Sequence, residues 1–207
     1  MKTNKVYFSR AIDRHLKTWK NDIHHKPLLL RGARQVGKSS AVRHLGETFT
    51  YFLEVNFERN PDIKQLFSAS LNPKEICGKL SAIYNIPIQA GKTLVFFDEI
   101  QACLPAIASL RFFYEEYSEL HLIAAGSLLE FALQEIPSFG VGRIRSLYMY
   151  PFSFNEFLQA QGLEKLLAEK RQATIDHQLL EPLHKKLIDY LLTFLLICLV
   201  HCRGELL

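Results

Sequence analysis

The stretch Gly32-Ala33-Arg34-Gln35-Val36-Gly37-Lys38-Ser39 fits the pattern G-x-x-x-x-G-K-[ST], and it restricts the folds open to this chain more than any other segment. The pattern has meaning only between a strand and a helix. Its glycines let the backbone pass close to a ligand in conformations closed to other residues. Its N–H groups then converge, and the positive end of the following helix dipole adds to them. Both flanks are present: residues 27–30 (Pro-Leu-Leu-Leu) read as a short buried strand, and residues 39–49 put Val42, Leu45 and Phe49 on one helical face. Gly32, Ala33, Arg34, Gln35, Val36, Gly37, Lys38, Ser39 and Ser40 are therefore the candidate nucleotide-binding residues. Lys38 would reach the β- and γ-phosphates, and the Ser39 hydroxyl would ligate Mg²⁺.

The rest of the chain continues this alternation. Residues 7–22 carry Ala11, Ile12, Leu16 and Trp19 at helical spacing, and residues 51–57 alternate as a strand does. Residues 60–71 and 73–85 read as helices. Gly91 interrupts the chain before residues 93–97, an apolar run ending in Asp98-Glu99. Residues 105–117 read as a helix with Ile107, Leu110, Phe113, Tyr114 and Tyr117 on its apolar side. Residues 121–125 read as a strand, 128–134 as a short helix, 140–142 as a loop and 144–149 as a strand. Strands alternating with helices imply an α/β fold of three layers, α/β/α, with a mostly parallel sheet. From Ser153 onward the pattern is helical only. The expected division is a core over residues 1–150, with its nucleotide site in 27–149, and a helical segment over 151–207.

Asp98 and Glu99 close a buried strand, and in a parallel sheet ligands sit at the carboxyl ends of strands. Asp98 would hold Mg²⁺ through its water shell, since Mg²⁺ dehydrates reluctantly. Glu99 would act as general base on an attacking water. That second carboxylate favours hydrolysis over transfer to a small acceptor. Ser127 closes the strand over 121–125. It either touches the terminal phosphate or caps the next helix, since Glu130 stands three residues on, the spacing of a capping box. Gly126 keeps the site open. Positive charge for the transition state can come from Arg34, Arg143 or Arg145, or each of these can be a solvated surface arginine.

Composition is that of a globular chain: 207 residues, 48% hydrophobic and 22% charged, with a net charge of +4. No run of five Lys or Arg occurs, so nucleic-acid contact is permitted but not indicated. Cys77, Cys103, Cys198 and Cys202 form no paired CxxC pattern and read as free thiols in a reducing cytosol. The amino terminus lacks the apolar region of a signal peptide. Residues 190–200 are apolar apart from Thr193 but fall short of the roughly 20 residues a membrane span needs. A cytoplasmic protein without membrane contact is expected.

Four segments together resemble one family. Gly32–Ser39, Phe97-Asp98-Glu99-Ile100-Gln101, Ala125-Gly126-Ser127-Leu128-Leu129-Glu130-Phe131 and Pro151-Phe152-Ser153-Phe154-Asn155-Glu156-Phe157 look like the prokaryotic AAA-type P-loop ATPases that carry an uncharacterised C-terminal domain. The resemblance covers about residues 5–197. It implies an AAA-like sheet with the phosphate-loop strand in the middle, a helical lid, and ATP with Mg²⁺ as ligands. It also implies Glu99 as water activator, Ser127 as a sensor position and Arg143 as a family-matching arginine. Residues 198–207 depart from the family, whose members continue into a second domain. That departure raises the expectation of a truncated or frame-shifted chain, with any protein or DNA partner of the second domain lost and the apolar helix near residues 187–200 short of packing partners. A homo-oligomer is compatible with the family. The leading functional expectation is an ATP hydrolase that couples turnover to a conformational change. A non-hydrolysing nucleotide-dependent switch and a phosphotransferase are the alternatives.

Overall fold

The computed structural model describes residues 7–127, 129, 142–176 and 181–203. Two compact units divide the chain. One spans Ala11–Pro151, and the other joins the residues up to Arg10 with those from Phe152 on.

The larger unit is built on five strands: β1 (Leu28–Arg31), β2 (Tyr51–Asn56), β3 (Thr93–Asp98), β4 (His121–Ala125) and β5 (Arg145–Tyr148). They pair in the order β2-β3-β4-β1-β5, and every pairing is parallel. All carboxyl ends therefore lie on one rim. β1, β3 and β4 are buried along nearly their whole length, which is why they read as continuous apolar runs instead of alternating ones. Successive side chains still point to opposite faces. Leu29, Leu53, Val55, Val95, Phe97, Leu122 and Ala124 pack with α4 (Pro73–Tyr84) and α5 (Leu104–Glu116) through Ile76, Leu80, Ile107, Leu110 and Phe113. The alternate positions face the other way, where α2 (Lys38–Gly46) packs over β3 and β4 and α1 (Ala11–Lys20) packs on α2. The result is the expected three-layer α/β/α sandwich.

Boundaries differ from the sequence reading in understandable places. The helix expected over 7–22 forms as Ala11–Lys20. The helix expected over 60–71 is split into a 3-10 turn, Pro61–Ile63, and a short α3, Lys64–Ala69. Pro61 stands in the first turn, where its missing N–H costs no intrahelical bond. α4 starts where Asn72 caps the N–H groups of Lys74 and Glu75 and stops where Asn85 turns left-handed, φ 51°. The short helix expected over 128–134 lies outside the described residues apart from residue 129.

At the amino-terminal rim, Trp19 is fully buried, and its indole N–H donates to the Lys26 carbonyl at 2.8 Å. His25 and His121 pack beside it with ring centroids 3.9 Å apart and the rings tilted by 33°. His121 Nε2 bonds to the Lys20 carbonyl at 2.9 Å. Neither histidine's Nδ1 has a hydrogen-bond partner among the described residues. Burial, helped by His121, pushes His25 down to about 4 against the weaker pull of Asp22 and Glu119, and burial also lowers His121. Both rings are thus folded in the neutral form, whereas unfolded histidine takes its proton near pH 6.5. Stability is fully present above about pH 6.5 and declines as pH falls toward 4, because the unfolded chain binds the extra protons. At about 1.4 kcal/mol per pKa unit, His25 alone makes the loss between pH 6.5 and 4.5 on the order of 2–3 kcal/mol. Urea unfolding across that range checks this, and His25→Phe should flatten the profile. An unchanged slope in the variant would remove His25 from the account.

The second unit is helical: α6 (Phe154–Ala160), α7 (Glu164–Asp176) and α8 (Glu181–Arg203). α6 opens on a capping box. Ser153 Oγ accepts from the Glu156 N–H at 3.2 Å, and Glu156 Oε2 accepts from the Ser153 N–H at 2.7 Å. Phe157, Leu158, Leu166, Leu167 and Leu187 form its core. Of the apolar residues of α8, Tyr190 and Phe194 pack against this core, while Ile188, Leu191, Leu192, Leu195 and Leu196 are exposed. No helix among the described residues is long and apolar enough to cross a membrane. Cys77 and Cys103 are buried free thiols, and burial pushes Cys77 up to about 12.

Candidate active site

Strand order decides what can meet at the carboxyl rim. β4 alone separates β1 from β3, and Leu30 pairs with Ala125 while Phe97 pairs with Ala124. At about 4.8 Å per strand spacing, the loop after β1 starts roughly 10 Å from the carboxylates after β3. The loop closes that gap. Gly32 has φ 141°, and a Cβ there would lie 2.2 Å from the Met149 carbonyl oxygen, so only glycine lets the chain leave β1 this close to β5. α2 then begins at Lys38, directly after Gly37.

Ser39 Oγ donates to Asp98 Oδ1 at 3.0 Å, joining the two motifs. Lys38 is buried, and its ammonium donates to the carbonyls of Gly32 at 2.8 Å and Ala33 at 2.7 Å. These two bonds use two of its three donors. Burial lowers the Lys38 pKa against the raising pull of Glu99 and Asp98, and the neighbouring Arg34 lowers it further. Burial likewise raises Asp98, with Glu99 adding repulsion, while hydrogen bonds from Ser39 and Asn56 act in the opposite direction. A cleft of about 440 Å³ opens over these groups, lined by Arg34, Gln35, Gly37, Lys38, Ser39, Ser40, Glu99 and Ser127. That volume lies within the roughly 300–1,000 Å³ of ligand clefts. Backbone strain gathers here too. Of the three described non-glycine residues with positive φ, Gln35 (60°) and Glu99 (51°) line the cleft, and Asn85 only ends a helix.

Ser127 is buried at the cleft wall, and its Oγ has no partner among the described residues. The capping alternative for Ser127 rests on Glu130, which lies outside the described residues. A buried carboxylate with a raised pKa, a second carboxylate beside it and a hydroxyl at 3.0 Å make an oxygen-only donor set, which suits a hard cation such as Mg²⁺. Among the described residues no group of three or more His, Cys, Asp or Glu could hold a metal by itself. A cation at Ser39 and Asp98 would therefore complete its shell with phosphate oxygens and water.

Arg143, a candidate catalytic residue, does not reach the cleft of its own chain, which corrects the expectation as far as a role within one chain goes. Arg145 pairs with Leu28 at the start of β1, and Tyr148 pairs with Arg31 at its end. Arg143 thus lies beyond the amino end of β5, about 13 Å of strand from the cleft rim, where it ion-pairs with Glu115. Arg145 belongs to that rim as well. Arg34 is the one of the three candidate arginines that lines the cleft.

Two residues of the site were not singled out from sequence. Asn56, the register partner of Asp98, donates to Asp98 Oδ2 at 3.1 Å, and its own Oδ1 accepts from the N–H groups of Glu58 and Arg59. Gln101 Nε2 donates to Glu99 Oε2 at 2.7 Å. The strand-end rule extended to β2 would have found Asn56. Gln101 stood in the quoted Phe97–Gln101 segment but was given no role.

A family profile described as AAA domain matches residues 24–158. The chain belongs to the AAA domain family. The match begins just ahead of β1, runs through every strand of the sheet and ends within α6. Among solved structures the chain is similar to a Walker-type ATPase of Pyrococcus abyssi, at 20% identity and a TM-score of 0.48, over 96% of this chain and 76% of that one. A search of curated proteins gives no match. This AAA domain is thus an α/β P-loop fold of a nucleotide-binding, ATPase-like kind, and its phosphate-loop strand β1 lies between β4 and β5.

Proposed function

We propose that this AAA domain is a Mg²⁺-dependent ATP hydrolase that couples turnover to a conformational change. The observation that carries the reading is the convergence of Lys38, Ser39, Asp98, Glu99 and Ser127 on one cleft at the carboxyl rim. The N–H groups of Gly32–Ser39 hold the phosphates, and Lys38 neutralises charge on the terminal two. Ser39 and Asp98 would hold Mg²⁺, which would supply charge neutralisation to the phosphates. Glu99 takes a proton from the attacking water, and Ser127 Oγ donates to the terminal phosphate. Arg34, from the loop itself, adds positive charge as the phosphoryl group is transferred.

The direct test is phosphate release from ATP by the purified chain with Mg²⁺, with EDTA, and with DNA added. Release that requires Mg²⁺ is the expected result. Tight ATP binding without release, with and without DNA, would favour the nucleotide switch instead. Release that appears only with an added acceptor would favour a phosphotransferase. A protein or DNA partner engaged through the family's second domain, a homo-oligomeric state and a cytoplasmic location are parts of the same proposal, and the DNA arm asks whether this chain responds to DNA by itself.

A further inference from the structure

Glu99 cannot aim its carboxylate unaided. It sits one residue past the end of β3 at φ 51°, ψ 45°, a region that non-glycine residues visit at a cost, and its side chain borders an open cleft. Among the described residues one side-chain hydrogen bond restrains it. The 3-10 turn Ile100–Ala102 that follows folds Gln101 back, and Gln101 Nε2 donates to Glu99 Oε2 at 2.7 Å and reaches toward Glu58 Oε1 at 3.4 Å. An ionised carboxylate only accepts, so chemistry fixes which end of the amide faces Glu99. The other end, Oε1, is then buried without a hydrogen-bond partner among the described residues. Leaving a buried acceptor unpaired is unfavourable, so the orientation is held in spite of that loss.

Gly126 explains where that end goes. A Cβ at Gly126 would lie 2.2 Å from Gln101 Oε1 and 3.1 Å from Leu129 Cγ. The glycine at the end of β4 makes room for the amide, a more specific task than keeping the cleft open. Gln101 consequently lies wedged between the strand end that carries Ser127 and the carboxylate that faces the cleft.

We propose that Gln101 is a positioning residue for Glu99, seated on Gly126, and that it fixes the carboxylate in the orientation used to activate water. The proposal rests on the reading of Glu99 as general base. Gln101 does not line the cleft, so it acts through Glu99 and not on nucleotide. Gln101→Met keeps the bulk over Gly126 and removes the donor. Its kcat should fall roughly 10–100-fold, the scale of a misplaced catalytic group, while KM and the Kd for a non-hydrolysable ATP analogue stay within about twofold. Gly126→Ala pushes the amide off Glu99 and should reproduce that split. In a Glu99→Gln background, Gln101→Met should add almost nothing, because residues that act as a unit are not additive. A normally folded Gln101→Met protein with wild-type kcat, or one that loses affinity as much as rate, overturns the proposal. Wild-type turnover by Glu99→Gln alone would instead overturn the general-base reading, so the two failures are separable.

Discussion

Lys38→Ala is expected to weaken ATP binding on the order of 100-fold while leaving the nucleotide-free protein folded. A charge-assisted bond to phosphate is worth roughly 1.5–3 kcal/mol, and the upper end of that range corresponds to about two decades in Kd. The substitution also removes the bonds by which Nζ draws together the carbonyls of Gly32 and Ala33, so the loop loses a brace as well as a charge. The fold should tolerate this better than the function does. Burial lowers the Lys38 pKa, which means the folded protein holds the charged ammonium at a disadvantage. Relief of that disadvantage offsets much of the two lost backbone bonds, so Tm without nucleotide should move by no more than a few degrees. With ATP at 100 times the wild-type Kd, the wild-type protein gains about 2.7 kcal/mol. At roughly 2–4 °C per kcal/mol for a domain of 150–250 residues, that is a rise of about 5–10 °C, of which the variant, with ATP then near its own Kd, should keep only about 1–2 °C. Calorimetric titration with an ATP analogue and paired melts measure both effects. A variant that melts like wild type with ATP present would remove Lys38 from the phosphate site.

The phosphate loop was legible because its requirements are local: Leu28–Leu30 before it and the Val42, Leu45 face after it lie within twenty residues of Lys38, although the helix ends at Gly46, short of the expected Phe49. The carboxylates were legible through one general rule, that a buried apolar run such as Thr93–Asp98 ends at the ligand rim of a parallel sheet. Their meeting through Ser39 and Asp98 follows once both rims are known to be the same. What sequence order does not contain is lateral order. Nothing along the chain says that β4 stands between β1 and β3, or that β5 pairs with β1. The place of Arg143 in its own chain is hidden for this reason. It follows a glycine and precedes a strand, which looks like a loop near a ligand, yet the register Leu28↔Arg145 puts it at the far rim. Asn56 and Gln101 were missed for a related one. Asn56 matters because it stands opposite Asp98 in the β2–β3 ladder, and Gln101 because Glu99 turns left-handed, a conformation that local propensity argues against for glutamate. Tertiary placement, not residue type, gives these two their tasks.

Glu99→Gln should bind ATP as well as wild type or better and hydrolyse it roughly 10²–10⁴-fold more slowly, the span expected for losing a general base. The replacement is nearly isosteric, and its amide oxygen can still accept from Gln101 Nε2, so the cleft keeps its shape. Electrostatics favours retained binding as well. Glu99 helps to raise the Asp98 pKa, so removing that negative charge lets Asp98 ionise more readily and hold Mg²⁺ beside Ser39 at least as firmly. It also removes repulsion between the carboxylate and the terminal phosphate. Against this, Lys38 loses a neighbouring anion that favoured its charged form, but Asp98 and the phosphates supply the same sign of charge. The net expectation is an ATP-bound protein that turns over too slowly to release it as ADP. Single-turnover phosphate release, with Kd measured in parallel, separates chemistry from binding. Release within about tenfold of wild type would mean that another group activates the water, and the assignment of Glu99 would have to be given up even with the nucleotide site intact.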